Sequence, residues 1–260
     1  MEGISIGILN YNGRGVLSDC IRRVLKQNFT CPYQVFVVDN GSSLDISDVI
    51  CRYNGVTMVR ADNQHGFITG VNKVFEMATF ETVVFLSYDV MLESAGDSLQ
   101  TVWEMYLRDG EKAIVQPMVL EMDGSIQNAG QWWAWPGYGI TLKKPQGEVP
   151  MMTTTAFMMN KSAFAEIGPF DPLFAPAYYE NVDYALRAKK LGYKFYCHDW
   201  WRVRHYTSLA FSKRYDKAEI RRYYQINRKK VVAKHYSGAD RTLRLAVLTV
   251  SDAIRSVFKN

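Results

Sequence analysis

Cysteine is scarce. The chain has four in 260 residues, Cys20, Cys31, Cys51 and Cys197, at irregular spacing and with no Cys-x-x-Cys pair. That excludes both a zinc-ligand pattern and the disulfide framework of a small secreted domain. A chain of this length buries enough surface to fold without either. No apolar run approaches the ~20 residues that cross a bilayer. The opening residues, Met1-Glu2-Gly3-Ile4, carry neither a basic stretch nor a small-residue cleavage pattern, so the expectation is a cytoplasmic chain. Repeats, low-complexity segments and Pro/Gly-rich linkers are absent as well. Charged residues at 22% and aromatics at 13% exclude disordered and collagen-like chains. What remains is one large domain, or a domain with an appendage.

Charge is unevenly spread. Residues 198–260 hold 15 Lys and Arg against 5 Asp and Glu, while the whole chain holds 31 against 26. The body is therefore mildly acidic and the tail basic. Such a tail suits an anionic partner, either membrane headgroups or nucleic acid; a solvated helical face that binds nothing is the bland alternative.

The first hundred residues alternate short β-rich runs with helical stretches. Strands are expected at 4–9, 34–38, 56–60 and 82–86, with helices over 16–26, 46–53 and 68–78. This order predicts βαβ units and a mostly parallel sheet covered on both faces, with ligands beyond the carboxyl ends of the strands. The turn clusters at 10–12, 39–43 and 87–89 then share one rim. From 90 to 160 the pattern loosens, with strands expected at 113–116, 139–142 and 154–159. Residues 131–136 (Gln-Trp-Trp-Ala-Trp-Pro) are too polar and broken for a core strand and read as an aromatic loop, either stacking on a sugar or base or packed as a lid. A helix over 178–191 has Glu180 and Asp183 near its start and Arg187, Lys189 and Lys190 near its end, matching the helix dipole. Gly192 caps it before a strand at 193–197. The tail supplies helices over 217–235 and 240–258. In the last, Leu243, Val247, Val250, Ile254 and Val257 form a stripe that needs cover from the body, a partner subunit or a membrane surface. Residues 1–215 are expected as the main domain and 216–260 as basic amphipathic helices packed on it.

Four blocks carry a family resemblance. They are Ile6-Gly7-Ile8-Leu9-Asn10-Tyr11-Asn12 with Val37-Val38-Asp39-Asn40-Gly41-Ser42-Ser43; Asn63-Gln64-His65-Gly66 running to Asn72; Phe85-Leu86-Ser87-Tyr88-Asp89-Val90; and Gly168-Pro169-Phe170-Asp171 followed by Tyr179-Glu180-Asn181-Val182-Asp183 running to Arg187, with Gly192-Tyr193. In this order they resemble family 2 glycosyltransferases of the GT-A fold, especially the rhamnosyltransferase-like branch. The resemblance implies an α/β GT-A fold: a Rossmann-like, mostly parallel sheet flanked by helices, here with a basic helical C-terminal extension. It implies an inverting, metal-dependent enzyme that moves a sugar from a UDP- or dTDP-sugar to a hydroxyl of a glycan or lipid-linked acceptor. Such an enzyme would work in polysaccharide or lipid-linked glycan synthesis, peripherally at the inner face of a membrane.

By that resemblance Asp39 holds the base or ribose of the donor nucleotide, with Asn10, Asn12, Asn63, Gly66, Asn72 and Ser87 around it. Asp89 matches the last position of the family's Asp-x-Asp-like motif, which binds Mn²⁺ or Mg²⁺ on the donor diphosphate; oxygen ligands suit such a cation. Ser87 stands at the motif's first position, so a second ligand is wanted, and His205 matches a metal-binding histidine of the family. His198 and His235 match no site. Inverting transfer needs a carboxylate to take the proton of the attacking hydroxyl. The family usually has that base where this chain has Asn181. Three readings stand open: Glu180 is the base, Asp183 is, or the chain binds a nucleotide sugar without transfer. Glu180 as base with Asp183 shaping the acceptor pocket is preferred. Arg187 is expected to pair with these carboxylates, and Tyr223, Tyr224, Asn227 and Arg228 to dock the tail helix. A base glycosyltransferase acting on DNA or RNA is the alternative function, and a homodimer through the last helix is a further partner expectation.

Overall fold

A computed structural model describes residues 2–93, 99–144, 147–206 and 215–257. The first units run β1 (Ile4–Asn10), α1 (Arg14–Leu25), β2 (Tyr33–Asp39), α2 (Ser47–Ile50), β3 (Val56–Arg60), α3 (Phe67–Met77) and β4 (Thr82–Ser87). All seven residues of β1 are buried, as a central strand covered on both faces requires. Gly7 is part of that requirement, because a Cβ there would stand 2.4 Å from Val74 and 2.9 Å from Phe36. The strands pair in parallel in the order β4-β1-β2-β3, in a register that sets Asn10 beside Asp39.

Beyond β4 the sheet changes character. The chain continues through β5 (Val90–Leu92), α4 (Leu99–Asp109), β6 (Ala113–Leu120), β7 (Ile126–Asn128), β8 (Gln131–Ala134), β9 (Tyr138–Thr141), β10 (Gly147–Val149), β11 (Ala156–Asn160) and α5 (Lys161–Ile167). It ends with α6 (Glu180–Lys190), β12 (Lys194–His205), α7 (Lys217–His235) and α8 (Gly238–Val257). β11 lies antiparallel between β4 and β6, while β6 and β12 are parallel. The sheet is thus mixed: parallel through the four strands where that was expected, and parallel again between β6 and β12, with antiparallel β11 joining the two parts.

Two apolar layers sandwich this sheet. Leu17 and Ile21 of α1, Val49 of α2 and Trp103 of α4 pack on one face. Val71 and Phe75 of α3, Ala163 of α5, Ala185 of α6 and Val231 of α7 pack on the other. In the second layer Phe75 stacks on Phe164 at 4.1 Å and Phe170 on Tyr184 at 4.2 Å. Large-to-small changes at such positions cost ~3–5 kcal/mol.

Three local expectations are corrected. The 131–136 segment is not a loop throughout: β8 and β9 form a two-stranded hairpin outside the main sheet, with Trp132 opposite Ile140 and both exposed. A hairpin with a solvated face has no need of the apolar alternation that marks a core strand. α2 is a single turn rather than the helix expected over 46–53. β12 runs well past residue 197, through an irregularity between His198 and Arg202, and so delivers His205 to the rim. The tail helices follow the expected pattern, although residue 258 lies outside the described residues. Asp216 caps α7 with a reciprocal bond to Glu219. Among the described residues, no helix is long and apolar enough to cross a membrane.

Candidate active site

The carboxyl ends of β1, β2 and β4 make one rim. Asp39 is fully buried there; its Oδ1 accepts from Asn10 Nδ2 at 3.0 Å and from the Ser42 hydroxyl, and its Oδ2 from Arg60 Nη1 at 2.9 Å. Asn12 sits in the left-handed region with φ 52° and accepts from Ser43 N at 2.8 Å. Asn40 donates to the Gly66 carbonyl at 2.8 Å and to Asn63 Oδ1 at 3.3 Å. Gly66 has φ +61°, and a Cβ there would meet the Pro176 carbonyl at 2.5 Å, so both backbone and space call for glycine. Leu9, Asn40, Asn63, Gly66 and Tyr88 line a small pocket of about 80 Å³. Asn72 is placed elsewhere, exchanging hydrogen bonds with the backbone of Phe170 at 2.9 Å.

Phe67 and Ser87 also line a second, larger pocket of about 320 Å³, so the two form one cleft. Below Ser87 lies Asp89, whose Oδ1 accepts from the Ser87 hydroxyl at 2.5 Å and stands 3.4 Å from His205 Nε2. His205 Nδ1 is 2.8 Å from Gln127 Oε1, a contact that orients the ring. Its Nε2 faces the Asp89 carboxylate, so the imidazole and the carboxylate are turned toward one another beside Ser87. One carboxylate and one imidazole oriented by an amide fit Mn²⁺ or Mg²⁺ that takes the rest of its ligands from phosphate and water. Among the described residues no third His, Cys, Asp or Glu joins them.

The larger pocket is closed by the start of α6. Tyr178 and Tyr179, which precede it, have φ of 74° and 69°, an unusual conformation for bulky residues. What holds them is Asn227 of α7, whose buried amide donates to the carbonyls of Phe174, Ala177 and Tyr178 at 2.9, 2.9 and 3.0 Å. Tyr224, one turn earlier on α7, stacks on Tyr178 at 4.1 Å. This clamp sets Glu180 at the first position of α6, buried and lining the pocket. Thr154 donates to its Oε1 at 2.9 Å, while Oε2 has no partner among the described residues. Burial pushes the Glu180 carboxyl above the usual range, against the lowering effect of its backbone and Thr154 hydrogen bonds.

Its neighbours point elsewhere. Asn181 lines the pocket, but its Nδ2 donates to Gln131 Oε1 at 2.6 Å and to the Met152 carbonyl at 3.0 Å, tying α6 to the hairpin. Asp183, fully buried, accepts from His235 at 2.8 Å, Lys234 at 2.6 Å and Arg187 at 2.9 Å. Burial alone would raise its carboxyl, but the hydrogen bonds from His235 and Lys234 and the charge of Arg187 prevail and hold it at about 2. Although three residues from Glu180, Asp183 faces α7 and does not line the pocket. His235 therefore has a partner that its position in the sequence did not reveal. His198 lies 3.0 Å from Asp109 on another edge of the sheet. Thr154 and Gln131 were also missed; three consecutive threonines at 153–155 before a strand were the only trace.

A mixed sheet with a polar rim at its parallel half, a carboxylate–imidazole pair beside that rim and a buried carboxylate across the cleft define a GT-A type of protein. Residues 5–168 match glycosyl transferase family 2, and the chain belongs to that family of sugar-transferring enzymes. No curated protein matches it. Among solved structures, GalNAc-T7 with UDP, GalNAc and Mn²⁺ superposes with a TM-score of 0.66 at 17% identity, covering 78% of this chain and 43% of that one. The mannosyltransferase PcManGT from Pyrobaculum calidifontis, solved with GDP-Man and Mn²⁺, gives 0.63 at 14% identity and covers 99% and 76%. S. aureus TarS 1-349 with UDP-GlcNAc gives 0.59 at 14%, covering 96% and 72%. The chain thus spans less than half of the first of these. At such identities the likeness is one of fold.

Proposed function

We propose that this protein is an inverting glycosyltransferase that moves a sugar from a UDP- or dTDP-linked donor, dTDP-rhamnose among them, to a hydroxyl of a glycan or lipid-linked acceptor. The observation that carries the reading is Glu180: a buried carboxylate at a helix start, with one oxygen that has no hydrogen-bond partner among the described residues, on a residue that lines a pocket continuous with the polar rim. Its raised affinity for protons suits a general base, which must accept a proton from the attacking hydroxyl as the sugar leaves the nucleotide. The nucleotide lies along the rim, with Asp39 as a rigid carboxylate braced by Asn10, Ser42 and Arg60. The acceptor occupies the pocket between Glu180 and the 153–155 threonines. Asp89 and His205 would hold Mn²⁺ or Mg²⁺, whose charge offsets that of the departing diphosphate. Asn181 and Asp183 act through position: the first joins α6 to the hairpin, the second joins it to α7.

Donor hydrolysis tests this. UDP-, dTDP- and GDP-sugars are incubated with Mn²⁺ or Mg²⁺ and released nucleotide is read. Metal-dependent release from one donor, lost in Asp89→Ala and in Glu180→Gln, is the expected result. Binding of no nucleotide sugar at all would overturn the assignment.

A further inference from the structure

A third cavity adjoins the catalytic pocket on the tail side. It measures about 280 Å³ and shares Gly139, Tyr179 and Tyr224 with that pocket. Arg221, Arg228 and Arg255 line it, against Asp252 as its one acidic residue. Arg228 is buried and pairs with Asp252, which Lys229 also contacts at 2.8 Å, so the acidic charge is already shared. Among the described residues the Nε–H of Arg228 meets no acceptor, a costly state for a buried charged group. Arg255 lies over the Tyr138 ring at 5.5 Å, and neither it nor Arg221 has a carboxylate partner among the described residues. None of Leu9, Asn40, Asn63, Ser87 or His205 lines this cavity, so it lies off the donor side of the cleft.

Arg255 also ends an apolar groove of about 450 Å³ along α8, made by Ala246, Val247, Val250, Ser251 and Ile254. Val250 and Ile254 are more than half exposed there, while the opposite side of the helix buries Leu248. A carboxylate pocket, an arginine pocket and an apolar groove thus follow one another, each joined to the next by shared residues.

We propose that the acceptor is an amphiphilic phosphate: its phosphate binds among Arg221, Arg228 and Arg255, its hydrocarbon chain lies along the α8 groove, and its sugar reaches Glu180. The proposal rests on the transferase reading and names its acceptor class. Phosphate suits the site because guanidinium groups bind its oxygens through paired charge-assisted hydrogen bonds. The chain suits the groove because the apolar stripe begins where the charge ends.

Calorimetric titration of the full chain with decyl phosphate, glycerol 1-phosphate and inorganic phosphate tests it, with donor hydrolysis measured on the same preparation. Decyl phosphate is expected to bind at least ~10-fold tighter than glycerol 1-phosphate, given the apolar chain it buries. Arg221→Ala and Arg255→Ala should each weaken it about 10-fold, with Arg→Lys recovering part of the loss. Ile254→Glu should abolish the preference for the decyl chain while glycerol 1-phosphate binds as before. Equal affinity for the two organic phosphates, or indifference to both arginine variants, would overturn the proposal. So would a dimer by light scattering that Ile254→Glu converts to monomer, since a second copy would then fill the groove. Donor hydrolysis without decyl phosphate binding defeats this inference alone, whereas absence of hydrolysis from every donor counts against the transferase reading whatever the amphiphile does.

Discussion

The two sides of the cleft are held in different ways. On the side proposed for the donor, Asp39 is fixed by residues at the ends of adjacent parallel strands: Asn10 on β1, Ser42 in the following turn, Arg60 at the end of β3. Strand register alone brings these together. On the side proposed for the acceptor, Glu180 stands on a left-handed Tyr178-Tyr179 pair that a helix about fifty residues later must clamp. The family match ends at residue 168, before any of that clamp. Nucleotide binding and sugar transfer should therefore be separable: changes in α6 and α7 should damage transfer and spare nucleotide affinity, and changes on the rim should do the reverse.

The largest expected effect sharpens that division. Glu180→Gln removes the proton acceptor but keeps the shape and the Thr154 contact, so transfer should fall ~10²–10⁴-fold with nucleotide affinity unchanged. In the unsubstituted protein the acid limb of kcat/KM should have its midpoint above the ordinary glutamate value of 4.5, since burial raises Glu180 and only its ionised form can act as base. A midpoint at or below that value would take the base role from Glu180.

Asp183→Asn comes next. It removes the buried carboxylate that Arg187, Lys234 and His235 share and leaves those three partly or wholly buried groups without it, a loss of ~3–5 kcal/mol read by denaturant unfolding. The sign of its pH dependence follows from the depressed value. Asp183 titrates at about 2 in the folded chain against 3.8 for the free side chain. Its contribution is complete above about 3.8 and is lost as pH falls toward about 2. The variant should lack that part of the acid-induced loss, and an unchanged acid limb would count against the interface.

Asn227→Ala frees three carbonyls and should cost about 2–4 kcal/mol at ~1 kcal/mol per hydrogen bond. Its effect should fall on kcat rather than on nucleotide affinity, because the Glu180 segment loosens while the rim is untouched. Equal damage to both would break the contrast between the two sides.

The same contrast governs what was legible in the sequence. β1 through β4 and the rim residues could be placed because periodicity and turn chemistry act over a few residues and strand register does the rest. The α6 segment, proposed as catalytic, was legible as a helix with Glu180 at its start, but not in its partners. Thr154 is 26 residues away from Glu180, Gln131 is 50 from Asn181, and His235 is 52 from Asp183. No local pattern encodes such contacts. Residues i and i+3 such as Glu180 and Asp183 share a side of a helix, yet at the first turn of α6 that side spans both the pocket and the α7 interface. β8 was missed for the converse reason, since its exposed tryptophans follow no core pattern.

The smallest effect concerns Asn181, where a carboxylate would be expected from the family resemblance. Its amide donates to Gln131 Oε1 at 2.6 Å and to the Met152 carbonyl at 3.0 Å. A carboxylate in its place would face the fixed Met152 carbonyl, while the Gln131 amide could turn to donate. Asn181→Asp should therefore cost ~1–3 kcal/mol, the penalty for a buried polar group left facing an acceptor. It should lower the melting temperature and leave the rate of transfer no higher than before. Measuring kcat and Tm together decides the matter. A variant that turned over faster, despite melting earlier, would mean that residue 181 faces the acceptor hydroxyl and that Glu180 serves it rather than the substrate. A variant with unchanged or reduced turnover fits an asparagine retained because two acceptors at its position require a donor.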